Sequence, residues 1–242
     1  MKNSLNMQVV ILAGGKGTRL SEETTIKPKP MVMIGNKPIL WHLIKFYQKY
    51  EFNNFIIAGG YRYIQIKNYF KKNPIKNVKI KVVNTGLETQ TGGRIYKIRK
   101  YIDNQKFLMT YGDGLSNVNL KKTIKLHLKY NKLATLTAVK PPARWGVINI
   151  SGGYVVNFQE KNEKKENWIN GGFFIIDKNI FKTFKFNNKT IFEKDILEKL
   201  AKKKQLTVFK HNGFWQCMDT KRDHELLENL WNSDHCPWQM KG

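Results

Sequence analysis

The segment Leu12-Ala13-Gly14-Gly15-Lys16-Gly17-Thr18-Arg19-Leu20 follows directly on an apolar run, Gln8–Ala13. Glycines after a buried strand permit positive φ and let backbone N–H groups close on an anion, which is how phosphates are cradled at strand ends. Two common phosphate loops do not fit. A P-loop ends in Gly-Lys-Ser/Thr, whereas Lys16 is followed by Gly17; a dinucleotide turn needs a third glycine or alanine where Leu20 stands, and an acid after the second strand, where Gly59-Gly60 occur. A bare glycine turn gives Arg19 no purpose. Lys29 stands ten residues beyond Arg19, in Lys27-Pro28-Lys29-Pro30. The prolines stiffen that stretch and withhold N–H donors, so two cations are held beside the loop, an arrangement that suits a triphosphate. Asp113 lies between two glycines just past Phe107–Tyr111, at the strand end where α/β proteins bind ligands. A carboxylate there can hold Mg2+, which takes one or two carboxylates and completes its shell with phosphate oxygens and water. Asp219 is the second candidate, with a helix cap before Lys221–Trp231 as its competing role.

These groups need a scaffold, and the hydrophobic pattern supplies one. Gln8–Ala13 reads as a strand buried on both faces, and Pro38 opens an amphipathic helix carrying Ile39, Leu40, Leu43, Ile44 and Tyr47 on one side. Further strands are expected at Phe55–Ala58, Val78–Val83, Phe107–Tyr111 and Ala134–Val139. Helices are expected at Ile64–Phe70, Ile95–Ile102 and Leu120–Tyr130, with a polar loop over Asn84–Gly93. Repeated βα units imply an α/β fold: a Rossmann-like, three-layer, mostly parallel sheet. After Pro141-Pro142, Val147–Ile150 and Tyr154–Phe158 flank Ser151–Gly153 and read as a small antiparallel hairpin. Phe173–Ile176 is again a buried strand, followed by a helix at Glu193–Lys204, a strand at Leu206–Phe209 and a helix at His224–Trp231. Without a linker or repeat, residues 1–242 read as one domain, a nucleotide-binding half over 1–140 and a second half over 141–242.

With 41% hydrophobic and 25% charged residues among 242, the composition is globular and excludes disorder throughout. Cys217 and Cys236 make no disulfide framework and sit in no zinc-like spacing, which fits a reducing cytoplasm. The longest apolar stretches fall short of the roughly 20 residues a membrane span needs, so no membrane partner is expected, and residues 1–6 read as a short extension. The formal charge of +25 points toward polyanions. Its lysines are dispersed and accompanied by much Asn and Ile, as an AT-rich coding sequence gives without selection for binding, and no nucleic-acid motif accompanies them. A basic nucleic-acid-binding protein is the alternative from another class; steep salt-dependent RNA binding without catalysis would favour it.

Taken in order, Gly14-Gly15-x-Gly17-Thr18-Arg19-Leu20, Lys27-Pro28-Lys29-Pro30-Met31-Val32, Lys37-Pro38-Ile39-Leu40-Trp41-His42, Thr91-Gly92-Gly93-Arg94, Tyr111-Gly112-Asp113-Gly114, Phe158-Gln159-Glu160-Lys161, Ile169-Asn170-Gly171-Gly172 and Gly213-Phe214-Trp215-Gln216-x-Met218-Asp219-Thr220 span nearly the whole chain. This series resembles the sugar-1-phosphate nucleotidylyltransferases, in particular the cytidylyltransferases that make CDP-glucose. The resemblance implies a fold of the nucleotide-diphospho-sugar transferase type, and a phosphate oxygen of a sugar 1-phosphate, most simply glucose 1-phosphate, attacking the α-phosphorus of CTP with loss of pyrophosphate.

The same resemblance implies the roles. Leu12, Ala13, Gly14, Gly15, Gly17, Thr18, Arg19 and Lys29 would bind the nucleotide together with Thr91, Gly92, Gly93 and Asp113, with Gly92 and Gly93 letting the backbone approach the base. Arg19 would hold the leaving pyrophosphate, Lys29 would polarise the reacting phosphates and Lys161 would orient the sugar phosphate. Gly146, Glu160, Asn170 and Gly171 would line the sugar pocket in the second half. Asp113 and Asp219 would share Mg2+. A homo-oligomer is expected. Three departures concern mainly the sugar side and the assembly: the stretch between Phe70 and Val78 is short, Asn162 follows the Glu-Lys pair where a proline is usual, and Cys217 precedes Met218-Asp219 where a proline is usual. A UTP- or dTTP-dependent hexose-1-phosphate nucleotidylyltransferase is the alternative within the same chemistry.

Overall fold

A computed structural model describes residues 7–17, 26–141, 147–151, 153–159, 168–233 and 236–239. In chain order the strands are β1 (Val9–Ala13), β2 (Met33–Ile34), β3 (Lys37–Pro38), β4 (Asn54–Gly59), β5 (Lys79–Asn84), β6 (Lys106–Tyr111), β7 (Gly114–Ser116), β8 (Ala134–Val139), β9 (Val147–Ser151), β10 (Tyr154–Gln159), β11 (Ile169–Asp177), β12 (Leu206–His211) and β13 (Trp215–Cys217). The α-helices are α1 (Ile39–Gln48), α2 (Tyr63–Lys72), α3 (Thr91–Ile98), α4 (Leu120–Tyr130), α5 (Ile180–Thr183), α6 (Glu198–Lys202) and α7 (Lys221–Asn232). A 3-10 turn covers Lys29–Met31 and a π-helical turn, Phe192–Leu197, runs into α6.

Seven strands form one sheet in the order β12-β8-β11-β6-β1-β4-β5. All run parallel except β11, which is antiparallel to both β6 and β8. Strand β1 is buried at every position because its two faces feed two cores. Val9, Ile11 and Ala13 pack with residues of α1, α2, α4 and α7, while Val10 and Leu12 pack with α3, the π-turn and α6. That double burial is why its sequence is continuously apolar instead of alternating. The hairpin β9–β10 is a separate antiparallel pair, as its Ser151–Gly153 centre suggested.

Several boundaries differ from expectation. Helix α3 begins at Thr91, inside the stretch expected to be a polar loop, and the expected helix Glu193–Lys204 starts instead as the π-turn. The short strands β2, β3, β7 and β13 carry no periodic pattern long enough to read. Among the described residues no helix is long and apolar enough to cross a membrane.

Two core histidines make folding depend on pH. His42 lies on α1, where its Nε2 faces the Ile34 carbonyl at 3.0 Å and its Nδ1 receives the Trp238 indole N–H at 3.3 Å. An indole only donates and a carbonyl only accepts, so the ring is the neutral Nε2–H tautomer. Burial pushes the pKa of His42, and likewise of His127, down to about 4. The unfolded chain, titrating near 6.5, therefore binds protons that the fold refuses, so stability is full above pH 6.5 and is lost as pH falls toward 4. Each histidine contributes up to ~3 kcal/mol across that window. The thermal midpoint should drop clearly between pH 7 and pH 4.5; an unchanged midpoint contradicts it.

Candidate active site

The carboxyl ends of the two central strands, β1 and β6, open onto one place. Gly112 donates its N–H to the Leu12 carbonyl at 2.9 Å, so the turn after β6 is stitched to the end of β1. A Cβ on Gly112 would come within 2.9 Å of that carbonyl oxygen, which explains a glycine before Asp113. Beyond Asp113 the chain forms β7, which pairs antiparallel with β13, setting Gly114 opposite Cys217 and Ser116 opposite Trp215. Met218 then donates to the Asp113 carbonyl at 2.8 Å. This two-stranded clasp brings Asp219 beside Asp113, more than a hundred positions earlier in the chain. Asp219 is not the helix cap: Thr220 caps α7 in a capping box with Asp223, whose carboxylate also accepts from the Asp219 N–H at 3.1 Å and so fixes the turn carrying Asp219.

Lys29 completes the cluster. Pro28 and Pro30 flank it, and the 3-10 turn Lys29–Met31 closes with Met31 N–H to the Pro28 carbonyl at 2.7 Å. Its ammonium donates to Asp113 Oδ2 at 2.8 Å and to Asp219 Oδ1 at 2.6 Å. Burial works against the charged lysine, but Asp113 and Asp219 outweigh it and hold its pKa above the ordinary value. The stability that comes from charging the lysine is therefore fully present below pH 10.5 and is lost as pH rises past the folded pKa. The lysine side chain is 9% exposed, against 32% for Asp113 and 21% for Asp219, so the carboxylates keep an open side toward a ligand. Cys217 lends its thiol to Asp219 Oδ2 at 3.7 Å; burial and then the charges of Asp219 and Asp113 push its pKa up to about 12, so it remains a neutral donor.

On the nucleotide side, Leu12, Ala13, Gly14, Gly15 and Gly17 lie at the end of β1, with Gly17 at φ 69°. The residue that shapes this loop is Arg94 of α3, the last residue of Thr91-Gly92-Gly93-Arg94, to which the sequence assigns no role. It is 5% exposed, and its guanidinium donates to the Gly14 carbonyl at 3.0 Å, Thr85 Oγ1 at 2.6 Å, the Gly86 carbonyl at 2.8 Å and the Leu87 carbonyl at 3.1 Å. A Cβ on Gly14 would sit 2.2 Å from the guanidinium carbon, so the glycine makes room for this clamp. The 85–89 loop is tied further by Lys97, which donates to the Thr85 carbonyl and Thr89 Oγ1 at 2.8 and 3.0 Å. At Gly92 and Gly93 the space a Cβ would need is filled by Thr190 and by the Asn187 and Asn188 carbonyls.

On the other side of Asp113, Asn170 and Gly171 open β11. Asn170 accepts the Gly172 N–H at 2.8 Å and the Gly171 carbonyl accepts the Trp215 indole N–H at 2.7 Å, so this strand is tied to the same clasp. Thus Lys29, Asp113 and Asp219 meet directly, with the β1 loop and the start of β11 on either side. Thr18, Arg19, Gly146, Glu160 and Lys161 lie outside the described residues. Among the described residues no group of three or more His, Cys, Asp and Glu side chains is arranged to hold a metal. Two hard oxygen donors converging on one cation nonetheless suit Mg2+, which needs no more than one or two carboxylates from the protein.

Residues 8–225 match the nucleotidyl transferase family. The chain is 42% identical to the glucose-1-phosphate cytidylyltransferase of Salmonella typhi over 96% of this chain and 99% of that protein. It is 38% identical to a probable glucose-1-phosphate cytidylyltransferase of Bacillus subtilis strain 168, over 97% of this chain and all of that one. Its structure is similar to that of HddC from Yersinia pseudotuberculosis complexed with GMP-PN, with a TM-score of 0.76 and 27% identity, covering 93% and 99% of the two chains. With sequence agreement along almost its entire length, on a sheet whose strand ends gather a glycine loop, a lysine and two aspartates, this chain belongs to the nucleotidyl transferase family.

Proposed function

We propose that this protein transfers the cytidylyl group of CTP to a sugar 1-phosphate, glucose 1-phosphate before others, releasing pyrophosphate and forming a CDP-sugar. The observation that carries this reading is the near-full-length identity to glucose-1-phosphate cytidylyltransferases. The Lys29–Asp113–Asp219 cluster supports its chemistry.

The attacking oxygen of a sugar phosphate is already anionic, so the reaction needs no nucleophilic side chain. What it needs is neutralisation of charge and in-line placement of the reacting atoms. The β1 loop, Gly14–Gly17, offers backbone donors to the triphosphate, and Arg19 takes the leaving pyrophosphate with its fork of N–H groups. Lys29, now balanced by two carboxylates, turns its ammonium to the phosphates at the reacting centre. Asp113 and Asp219 hold Mg2+, which when bound neutralises phosphate charge and polarises the reacting phosphorus. Thr91, Gly92 and Gly93 border the base, where the tied 85–89 loop gives fixed donors and acceptors able to distinguish cytosine from uracil by their exchanged pattern on one edge. Lys161 orients the sugar phosphate, and Glu160, Asn170 and the Gly146 and Gly171 backbones receive the sugar hydroxyls.

The seven-stranded sheet draws strands from both 1–140 and 141–242, which supports reading the chain as one nucleotidyltransferase domain. Exposed Tyr154, Val155 and Val156 on the β9–β10 hairpin support self-association into a homo-oligomer. The substrates are those of the cytoplasm, and the protein is assigned there on that ground. The test is pyrophosphate release with Mg2+, each of four NTPs being offered against a panel of sugar 1-phosphates. CTP with glucose 1-phosphate should give the highest kcat/KM. A higher value with UTP or dTTP overturns the base assignment, and no release with any pair overturns the reaction.

A further inference from the structure

Glu193 has no place in the chemistry above, yet it joins the two sides of the site. It lies in the π-turn Phe192–Leu197, a helical irregularity that recurs at functional positions because it aims a side chain a regular turn would not. Its Oε2 accepts from the Thr91 hydroxyl at 2.7 Å and its Oε1 from the Tyr111 hydroxyl at 2.5 Å. Thr91 opens α3 on the nucleotide side. Tyr111 ends β6, two residues before Asp113, and its ring lies over the bulged start of β11, where a Cβ on Gly172 would come within 2.6 Å of it.

The hydrogen bonds around Glu193 have a fixed direction. The Phe192 N–H donates to Thr91 Oγ1 at 2.9 Å, so the threonine hydroxyl is supplied with a donor and sends its own proton to Glu193. On the other arm, Asn170 Oδ1 is taken by the Gly172 N–H, which turns its Nδ2 toward the Tyr111 hydroxyl at 3.4 Å. Tyr111 in turn sends its proton to Glu193. Both arms run inward, and only an acceptor with two free oxygens can end both. The second Nδ2 hydrogen of Asn170 is the one a sugar hydroxyl would take.

We propose that Glu193 is a positioning residue for sugar recognition: its carboxylate terminates the chain Asn170–Tyr111–Glu193, orients the Asn170 amide toward the sugar, and anchors that orientation to Thr91 at the start of α3. This rests on the cytidylyl-transfer reading given above, in which Asn170 meets the sugar.

Glu193→Gln tests it, because glutamine keeps the shape but replaces one acceptor by a donor. One arm must then reverse. The KM for glucose 1-phosphate should rise about tenfold, the size expected for one charge-assisted hydrogen bond, while the KM for CTP and kcat change by less than about twofold. Tyr111→Phe, which removes the middle of the chain without touching Glu193, should reproduce the same split. The double variant should be no worse than the more impaired single one, since both break one chain. Calorimetric titration of glucose 1-phosphate into each protein in the presence of CTP lacking a cleavable α–β bond gives the sugar affinity independently of turnover. A parent enzyme that releases pyrophosphate, with variants that keep the parent's sugar affinity, overturns the role of Glu193 alone. Loss confined to kcat or to CTP overturns it too, as does additive loss in the double variant. A parent that releases no pyrophosphate with any substrate pair overturns the reading beneath it.

Discussion

Asp113→Asn should reduce pyrophosphate release by ~10²-fold or more, equivalent to ~3 kcal/mol of transition-state stabilisation, while leaving the fold intact. Asparagine preserves the shape of the side chain and removes its charge. The turn that carries it does not depend on that carboxylate, because Gly112 N–H to the Leu12 carbonyl and Met218 N–H to the Asp113 carbonyl are backbone bonds. Lys29 also retains its 2.6 Å bond to Asp219, so the ammonium stays compensated. Loss of rate in a protein that still folds and melts cooperatively, with at most a modest fall in thermal midpoint, is therefore expected, and the comparison of kcat with melting measures both at once. Near-normal turnover contradicts the assignment of Asp113 to the reacting centre.

Lys29→Met is expected to lose ~10²- to 10³-fold in kcat, since it takes a cation from the phosphates as their charge moves toward the leaving group. It should also destabilise the protein, for a reason separate from catalysis. Without the ammonium, the carboxylates of Asp113 and Asp219 face one another unbalanced, and like charges that close resist ionising together. Adding Asp219→Asn to the methionine variant should restore the thermal midpoint, by removing one of the two charges, without restoring activity. A methionine variant as stable and as active as the parent contradicts the electrostatic description of the cluster. Recovery of activity in the double variant contradicts the distinction between the catalytic and the structural part of the lysine's role.

How much of this was readable beforehand depends on the length of each signal. Strand β1, helix α4 and strand β8 are plain because five to eleven consecutive residues carry one unbroken pattern. Strand β11 was readable as buried, but apolar content carries no direction, so its antiparallel course between β6 and β8 was not. The clasp that unites Asp113 with Asp219 consists of strands of three residues, too short for any period. For Asp219, read as a metal ligand, a helix cap is the competing role. Thr220-Lys221-Arg222-Asp223 carries a capping-box spacing that hands the cap to Thr220, and that signal was available. Arg94 was hidden differently. A lone arginine after two glycines shows nothing of the four carbonyl and hydroxyl oxygens from Gly14, Thr85, Gly86 and Leu87 that gather around it, because those come from two segments far apart in the chain. Thr91–Gly93 falls in the polar stretch Asn84–Gly93, and glycine and threonine favour helices poorly. Packing of Gly92 and Gly93 against the 187–190 segment overrides that preference, a tertiary effect that local propensity does not contain.

Crystals grown with CTP and Mn2+ and measured for manganese anomalous scattering show where the divalent ion sits. The expected result is one peak within about 2.5 Å of carboxylate oxygens from both Asp113 and Asp219, with the Lys29 ammonium turned onto phosphate and the triphosphate lying along Gly14–Gly17. A peak apart from either aspartate, or phosphates held away from that loop, would contradict it.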